Sequence, residues 1–558
     1  MTTIVHVLAE HARRRPEALF VRFVDADDQV AELTFGACWA EARRWAESLL
    51  SSGLQPGGPV LLALPNEPDL VTAYFGTLIA AGVPAPVAPV LRAAPEDPRL
   101  RALAERVRSL GARQVILPRA AHDVAAALGP LVPAGTRILD GTRLADAAQS
   151  SSAPAFEPLR AAPDDLGLIQ FSSGTAGAAR AVELTHRSLL EQTRILDRVL
   201  DIDRETDSAV SWLPLFHDMG LVGFLLTPAY VGAPVTILRT EAFLRNPRVW
   251  LRAITRFRPT ITGGPPSAYA LCARFAREAE RGDHQLDSLR VALVGAEMIE
   301  PAAMRAFAAA MRPSGFRAEC LVPSYGLAEN GLAVTTTRVG AGLEVDVVDP
   351  VALSDELSAR PPRGTSRREI ASVGRPVPGA EVVIADASGR HLADRSVGQV
   401  LVRSTTLMRG YRGGSDGAIR DGWLWTGDMG YVAEGRLHLT GRSKELIIVG
   451  GTNYFPEDLE AVAASVPGVR QGRAVAFSVE TPALSTEAVV VLVETALREH
   501  EARVTLGQTV RRSLAAAGYP VHRVVPVPPR TIRSTDTGKL MRVDSRKRYE
   551  AGEFDGPG

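Results

Sequence analysis

"LGLIQFSSGTAGAARAVELTHRSLLEQTRIL", Leu166 to Leu196, decides how this chain is read. Leu166–Gln170 is a short apolar run with the length of a buried strand, and the run from His186 reads as an amphipathic helix. Between them lie small residues and hydroxyls. Gly174 and Gly177 let the backbone approach an anion closely, Ser172, Ser173 and Thr175 add hydroxyl donors, and Arg180 adds a positive charge. The segment lacks the Gly-Lys-Ser/Thr ending of a Walker loop. Taken alone, it has the composition of an ordinary turn between strand and helix.

Outward from this stretch, strand and helix signals alternate. "FGACWAEARRWAESLLSSGL", from Phe35, has helical spacing with Gly53 near its end. "PVLLALP" and "RQVILP" are short buried strands, and "PDLVTAYFGTLIAAGVPAPVAP" is a helix, a glycine stop and a strand. In "NPRVWLRAITRFRP", Asn246 is the expected N-cap, Pro247 takes the first helical position, and Trp250, Ile254 and Phe257 share a face. "TITGG" and "RVALVGAE" are strands ending in glycine-bearing loops. Solidly apolar strands separated by helices imply parallel sheets covered on both faces, and open α/β sheets place ligands at the carboxyl ends of their strands.

After about Ser372 short alternating strands, "GAEVVIAD", "GQVLVRS" and "GRLHLTG", indicate a small β-rich region. From Arg442 onward helices and strands such as "PEDLEAVAASV" and "EAVVVLVE" form a separate α+β unit. The expected fold class is therefore α/β. A large N-terminal domain over 1–441 would hold two parallel-type sheets and the β-rich subdomain, and a small α+β domain over 442–558 would follow it. The segment at about 340–368, polar and rich in Pro, Arg and Ser, reads as a long surface loop or an insertion.

The chain has 558 residues, 46% of them apolar, enough for several packed units. Its 63 basic and 63 acidic residues balance, so no basic face for nucleic acid is indicated. Cys38, Cys272 and Cys320 are an odd, widely spaced set that makes neither a disulfide framework nor a metal-ligand pattern, which suits a reducing compartment. The start "MTTIVHVLAEHARRRPEALF" reads as neither a signal peptide nor a membrane span. No apolar run reaches the roughly 18 residues a bilayer requires. A cytoplasmic protein without stable membrane insertion is expected.

Four further stretches carry chemistry-bearing residues. "SYGLAEN" sets Ser324, Tyr325 and Gly326 beside Glu329, an aromatic that could stack on a base and a carboxylate suited to a divalent cation. "WTGDMG" offers Asp428 between glycines, placed to accept hydrogen bonds from two ribose hydroxyls. "STDTGKLMR" carries Lys539, a point charge for an anionic centre. "PLFHDMGL" puts His217 and Asp218 inside an apolar run. No zinc-binding HExxH pattern and no G-x-S-x-G elbow is present. Singly, each stretch is a common turn or a structural feature.

In order and together, the hydroxyl loop, "VGAE", "SYGLAE", "WTGDMG", "GRSKELI" and "TGKLMR" resemble the adenylate-forming superfamily of acyl-CoA synthetases, peptide-synthetase adenylation domains and luciferases, over essentially the whole chain. The resemblance implies that the loop Ser172–Arg180 grips the β- and γ-phosphates of ATP. It implies that Tyr325 packs on adenine beside a wall of Gly295, Ala296 and Glu297, that Glu329 is the Mg²⁺ carboxylate, and that Asp428 and Arg442 hold the ribose. Lys444 would be the hinge of a mobile C-terminal domain, and Lys539 would bridge the substrate carboxylate and the α-phosphate. Lys539, Glu329 and His217 are thus the candidate catalytic residues. Ala179, Arg180 and Ala181 stand where the usual loop has Pro, Lys and Gly, and Ala328 stands where many relatives have Thr.

"WLPLFHDMGLVGFLLTPAYVGAP", "YGLAEN", "SVGRPVPG" and "IIVGGTNYFPEDLE" are similar to the fatty acyl-AMP ligases. This implies acyl transfer to the phosphopantetheine of an acyl carrier protein acting in trans, in a lipid or polyketide pathway by analogy, and an extra segment after "YGxAE" that restrains the small domain. Gly340–Arg368 lies where that segment belongs. The fatty acid would bind among Trp212, Phe216, His217, Phe224 and Tyr269, with Gly263 and Gly264 leaving room for a tunnel. Two alternatives stand beside this reading: an acyl-CoA ligase using free CoA, and a catalytically silent nucleotide- or acyl-binding protein on the same scaffold.

Overall fold

The computed structural model describes residues 3–554 except 26, 93–96, 120, 141–160, 173–179, 415–416, 450–451, 480–486 and 535–539. Six strands run parallel in the order Leu321–Gly326, Val291–Val294, Ile261–Gly264, Ala209–Ser211, Val235–Leu238 and Leu19–Val24. Antiparallel strands close both edges of this sheet: Val30–Thr34 on one side, Ala333–Thr336 and Arg375–Pro376 on the other. A second, wholly parallel sheet runs Val83–Pro86, Pro59–Leu62, Gln114–Leu117, Arg137–Asp140. The helix Pro68–Ile79 is buried at every position from Leu70 to Ile79. It packs so closely on the helix Phe35–Ser51 that a Cβ at Gly76 would lie 2.4 Å from that of Trp45. The α/β class is thus as expected, with short, doubly covered strands that read as continuous apolar runs.

Three expectations need correction. The opening stretch is not strand, loop and helix. Arg180–Thr185 is a strand antiparallel to Leu166–Ser172, with Ser172 paired to Arg180, while the helix begins at His186 as expected. Ala181, Val182, Glu183 and Leu184 are all buried, so no exposed position marks them as a strand. Of the two readings of the segment from Gly340, a long surface loop or an insertion, the loop does not hold. Val345–Val348 pairs with Arg368–Ala371, and Asp349 caps the helix Pro350–Asp355 through Val351 and Ala352. The helix Arg248–Phe257 begins one residue later than expected, with Pro247 as N-cap, although Asn246 Oδ1 still accepts the Arg248 N–H at 3.3 Å.

The β-rich region is an antiparallel sheet of Ala380–Ala385, Gly398–Ser404, Trp423–Ala433, Arg436–Arg442 and Ile419–Arg420. Beyond it, Ala474–Val479, Ala488–Glu494 and Val521–Val527 form a sheet with apolar residues on both faces. Leu459, Val510 and Leu514, from helices Pro456–Ala464 and His500–Ala516, cover one face, and Ile532 with Tyr549 covers the other. Among the described residues no helix is long and apolar enough to cross a membrane.

One polar knot holds this C-terminal part together. Arg542 makes bonds of 2.7 Å to each oxygen of Glu460, lies 3.1 Å from Glu457 and contacts Glu445. Burial, with Glu460 and Glu445 adding repulsion against the pull of Arg542, pushes the Glu457 carboxyl up to about 7. A carboxyl raised on folding binds more protons in the folded chain, so its contribution is full below the ordinary carboxylate range and is lost as pH rises towards 7. Glu457→Gln is therefore expected to gain about 2–3 kcal/mol on the wild type between pH 4.5 and 7.5, read from urea unfolding at several pH values. A constant difference across that range would refute this assignment.

Candidate active site

Asp428 lies on Trp423–Ala433, directly opposite Arg442 on the neighbouring strand. From the large sheet, Tyr325 reaches across and donates its hydroxyl to Asp428 Oδ2 at 2.6 Å. Arg442 Nε lies 3.2 Å from Oδ1, and Thr426 Oγ1 accepts the Asp428 N–H at 3.1 Å. Burial, reinforced by the Asp428 charge, holds the Tyr325 hydroxyl well above its ordinary pKa, so it stays a donor. Burial works to lower the pKa of Arg442, but Asp428, Glu445 and Tyr325 outweigh it and hold it above its ordinary value. Both carboxylate oxygens of Asp428 are thereby oriented.

The backbone turns sharply after Tyr325. At Gly326 a Cβ would lie 2.2 Å from the Leu332 carbonyl oxygen, so glycine alone fits where the chain doubles back towards Ala333–Thr336. Ser324 Oγ lies 2.8 Å from Thr336 Oγ1, which secures the same bend. The bend delivers Glu329 on the short turn Ala328–Asn330. Glu329 Oε1 accepts the Tyr411 hydroxyl at 2.8 Å, and the Glu329 carbonyl accepts the Met408 N–H at 2.7 Å. Burial raises the Glu329 carboxyl, the Tyr411 hydrogen bond pulls it down, and the charges of Asp218 and Asp428 push it up again.

The loop after Val291–Val294 passes close to Ser324, whose carbonyl oxygen a Cβ at Gly295 would meet at 3.0 Å. Ala296 has φ +68°, a left-handed conformation uncommon for a residue with a side chain. Glu297 accepts from Ser267 through both oxygens, at 3.1 Å from the hydroxyl and 3.2 Å from the N–H, and Gly295 N–H reaches the Gly264 carbonyl at 3.4 Å. His217 Nδ1 lies 2.7 Å from Asp218 Oδ1, at the entry to the π-helical segment Met219–Leu226. Phe216 is half-buried, and its carbonyl accepts from Gln170 Nε2 at 2.6 Å.

A cavity of about 30 Å³, room for one water, is lined by Trp212, His217, Met219, Leu244, Ala296 and Glu297 among others. The expected tunnel is not open beside it. A Cβ on Gly263 would meet Leu293 at 2.9 Å and Phe224 at 3.0 Å, and one on Gly264 would meet Trp250 at 3.4 Å. Phe224 and Tyr269 are 1% exposed, and Tyr269 donates to the Leu293 carbonyl at 2.9 Å. Trp212 stacks on Phe243 at 3.6 Å. The small residues admit neighbouring aromatic rings here, not a chain-sized void.

Ser172 and Arg180 flank the hydroxyl- and glycine-rich stretch, with Ser172 Oγ 3.5 Å from the Arg180 carbonyl. Ser173, Gly174, Thr175, Gly177 and Ala179 lie outside the described residues, as does Lys539. Lys444 is exposed in the turn after Arg436–Arg442, where Ser443 N–H bonds the Gly427 carbonyl at 3.0 Å. Tyr411 was missed by sequence reasoning. Its only local sign is the charged, glycine-bearing "MRGYRGG", which looks like any surface turn.

A hard divalent cation fits Glu329, a half-buried carboxylate within the field of Asp218 and Asp428, because such ions take oxygen ligands. Among the described residues no group of three or more His, Cys, Asp or Glu is placed to hold a metal. The cation would therefore rest on Glu329 and on the oxygens of a bound nucleotide, as Mg²⁺ commonly does.

Residues 8–412 match the family described as AMP-binding enzymes. A Caulobacter vibrioides protein that is an acyl-CoA synthetase by name is 32% identical over 532 residues, covering 94% of this chain and 91% of its own. A medium-chain-fatty-acid–[acyl-carrier-protein] ligase of Teredinibacter turnerae is 29% identical, covering 82% of this chain and 79% of its own. A solved structure from a study of fatty acyl-adenylate ligases of E. coli and L. pneumophila superposes with a TM-score of 0.90 at 30% identity, covering 99% of this chain and 98% of that one. With Tyr325, at the end of a parallel strand, meeting Asp428 and Arg442 of the antiparallel sheet, the chain belongs to the AMP-binding enzyme family and is an adenylate-forming ligase that activates carboxylic acids.

Proposed function

We propose that the protein is a fatty acyl-AMP ligase that forms an acyl-adenylate from a fatty acid and ATP, releases pyrophosphate, and passes the acyl group to the phosphopantetheine thiol of a carrier protein in trans. The observation that carries the reading is the Tyr325–Asp428–Arg442 constellation standing within the field of Glu329. Asp428 and Arg442 would hold the ribose, and Tyr325 with Gly295–Glu297 would enclose the adenine. Arg180 and the loop hydroxyls would bind the departing phosphates. Glu329 would hold Mg²⁺, which would supply charge neutralisation at the phosphates when bound. Lys539 would draw the substrate carboxylate and the α-phosphate together, which positions a weak nucleophile against a polyanion. His217 would meet the acid at the mouth of the small cavity, which must widen to admit the chain.

We assign residues 1–441 to the adenylating domain and 442–558 to a domain that rotates about Lys444. Carrier transfer in preference to CoA is supported by the packing of segment 340–371 on the C-terminal part. Phe455 shares a core with Val348, Leu353 and Ile370, Arg368 lies 2.6 Å from Asp458, and Asn453 Nδ2 donates to the Ser354 carbonyl at 3.4 Å. The name of the Caulobacter relative favours the second reading, a CoA ligase. Three free, buried cysteines support a reducing, cytoplasmic setting.

Pyrophosphate release is the test, with acids of four to eighteen carbons, aryl acids and amino acids, each without acceptor, with CoA and with a holo carrier protein. Release that depends on fatty acids, with transfer to the carrier alone, is expected. Transfer to CoA moves the assignment to the CoA ligases, and release with amino acids alone refutes the fatty-acid reading.

A further inference from the structure

We propose that Tyr411 is a positioning residue of the adenylation reaction, which orients the Glu329 carboxylate through its hydroxyl and Arg180 through its ring, and so ties the cation side of the site to the phosphate side. The inference rests on the function proposed above.

The segment Thr406–Arg412 is fastened on both sides. Towards Glu329, Thr406 Oγ1 donates to Asn330 Oδ1 at 2.9 Å, Met408 N–H bonds the Glu329 carbonyl, and Tyr411 donates to Glu329 Oε1 at 2.8 Å. Towards the hairpin, Gly410 and Tyr411 pair with Glu183 and Val182. Arg409 and Arg412 flank Glu183 at 2.7 and 3.1 Å, and the Arg412 N–H bonds the Ala181 carbonyl at 2.8 Å. The Arg180 guanidinium then lies 5.0 Å from the centre of the Tyr411 ring.

Each contact has a physical consequence. The last torsion of a glutamate is soft, and a hydrogen bond to one oxygen sets it. Mg²⁺ demands near-ideal geometry from its ligands, so that setting matters for binding. A planar guanidinium stacks on an aromatic face where an ammonium would stay hydrated. The Tyr411 ring therefore gives a reason for arginine at position 180, where the usual loop has lysine. The charges of Asp218 and Asp428 reach Glu329 but an ionised carboxylate donates no hydrogen bond, whereas the Tyr411 hydroxyl donates one to Oε1.

The test is Tyr411→Phe, which keeps the ring under Arg180 and removes the hydroxyl, set against Tyr411→Leu, which removes both. ATP binding is titrated against Mg²⁺ by calorimetry without any acid, beside the Mg²⁺ dependence of pyrophosphate release. For Tyr411→Phe the half-saturating Mg²⁺ is expected to rise about 10-fold, while the KM for the acid and the melting temperature stay at wild-type values. Tyr411→Leu should weaken ATP binding further even at saturating Mg²⁺. An unchanged Mg²⁺ dependence of ATP binding in Tyr411→Phe overturns the proposal. A wild type that binds ATP with Mg²⁺ but releases no pyrophosphate with any acid refutes the ligase function, and the Mg²⁺ comparison still decides the role of Tyr411. A wild type that binds no ATP at all refutes both.

Discussion

Asp428→Ala is expected to lower acid-dependent pyrophosphate release by about 100-fold and to destabilise the chain by roughly 2–3 kcal/mol. The two effects have one origin. Asp428 accepts from Tyr325 on one oxygen and faces Arg442 on the other, and its side chain is only 15% exposed. Alanine leaves a buried phenol and a half-buried guanidinium without this acceptor, and each then carries a desolvation cost that the remaining neighbours, Thr426 for Tyr325 and Glu445 for Arg442, offset only in part. It also removes the group proposed to hold the ribose, so the α-phosphate is no longer presented in line. Asp428→Asn separates the two: the amide oxygen can still accept from Tyr325, so stability should largely return while activity stays low. Urea unfolding and pyrophosphate release measure the two quantities. Activity within twofold of wild type in Asp428→Ala would remove this residue from the site.

Arg368→Ala is expected to raise CoA-thioester formation at least about 10-fold relative to carrier transfer, with adenylate formation within about twofold of wild type. Arg368 and Asp458 are 16% and 19% exposed and join the strand Arg368–Ala371 to the helix Pro456–Ala464. Burial, against the pull of Arg368, already pushes the Asp458 carboxyl up to about 6. Without the arginine, ionised Asp458 has no partner, and the docked arrangement loses that attraction at neutral pH. A shift of about 1.4 kcal/mol in the docking equilibrium is a tenfold change in the released population. Asn453→Ala, which removes one long hydrogen bond, should have a smaller effect of the same sign. An unaltered ratio of CoA to carrier product in Arg368→Ala would separate acceptor choice from this contact.

The short parallel strands are legible in the chain because both faces of each are covered, so most positions are apolar. The same burial conceals the strand Arg180–Thr185, where Glu183 is only 8% exposed and held by Arg409 and Arg412. A buried glutamate with partners more than 200 residues away cannot be told from an exposed one by local pattern. Glycines misled for a related reason. Gly263 and Gly264 are small in the sequence whether the neighbouring volume takes a ligand or a ring, and here Phe224 and Trp250 take it.

By itself, the sequence determined the α/β class, the residue types available for chemistry and the order of their motifs, since apolar periodicity and residue type are local properties. Only the tertiary structure decided which of them meet. Tyr325 and Asp428 are 103 residues apart, and Glu329 and Tyr411 are 82 apart. Each hydrogen bond joins residues of different elements, Tyr325 of the large sheet to Asp428 of the antiparallel one, and Glu329, on the turn after Tyr325, to Tyr411 on the strand paired with Arg180–Thr185. The burial that raises Glu329 and keeps Tyr325 protonated arises from the surrounding mass of the fold and not from any neighbour in the chain.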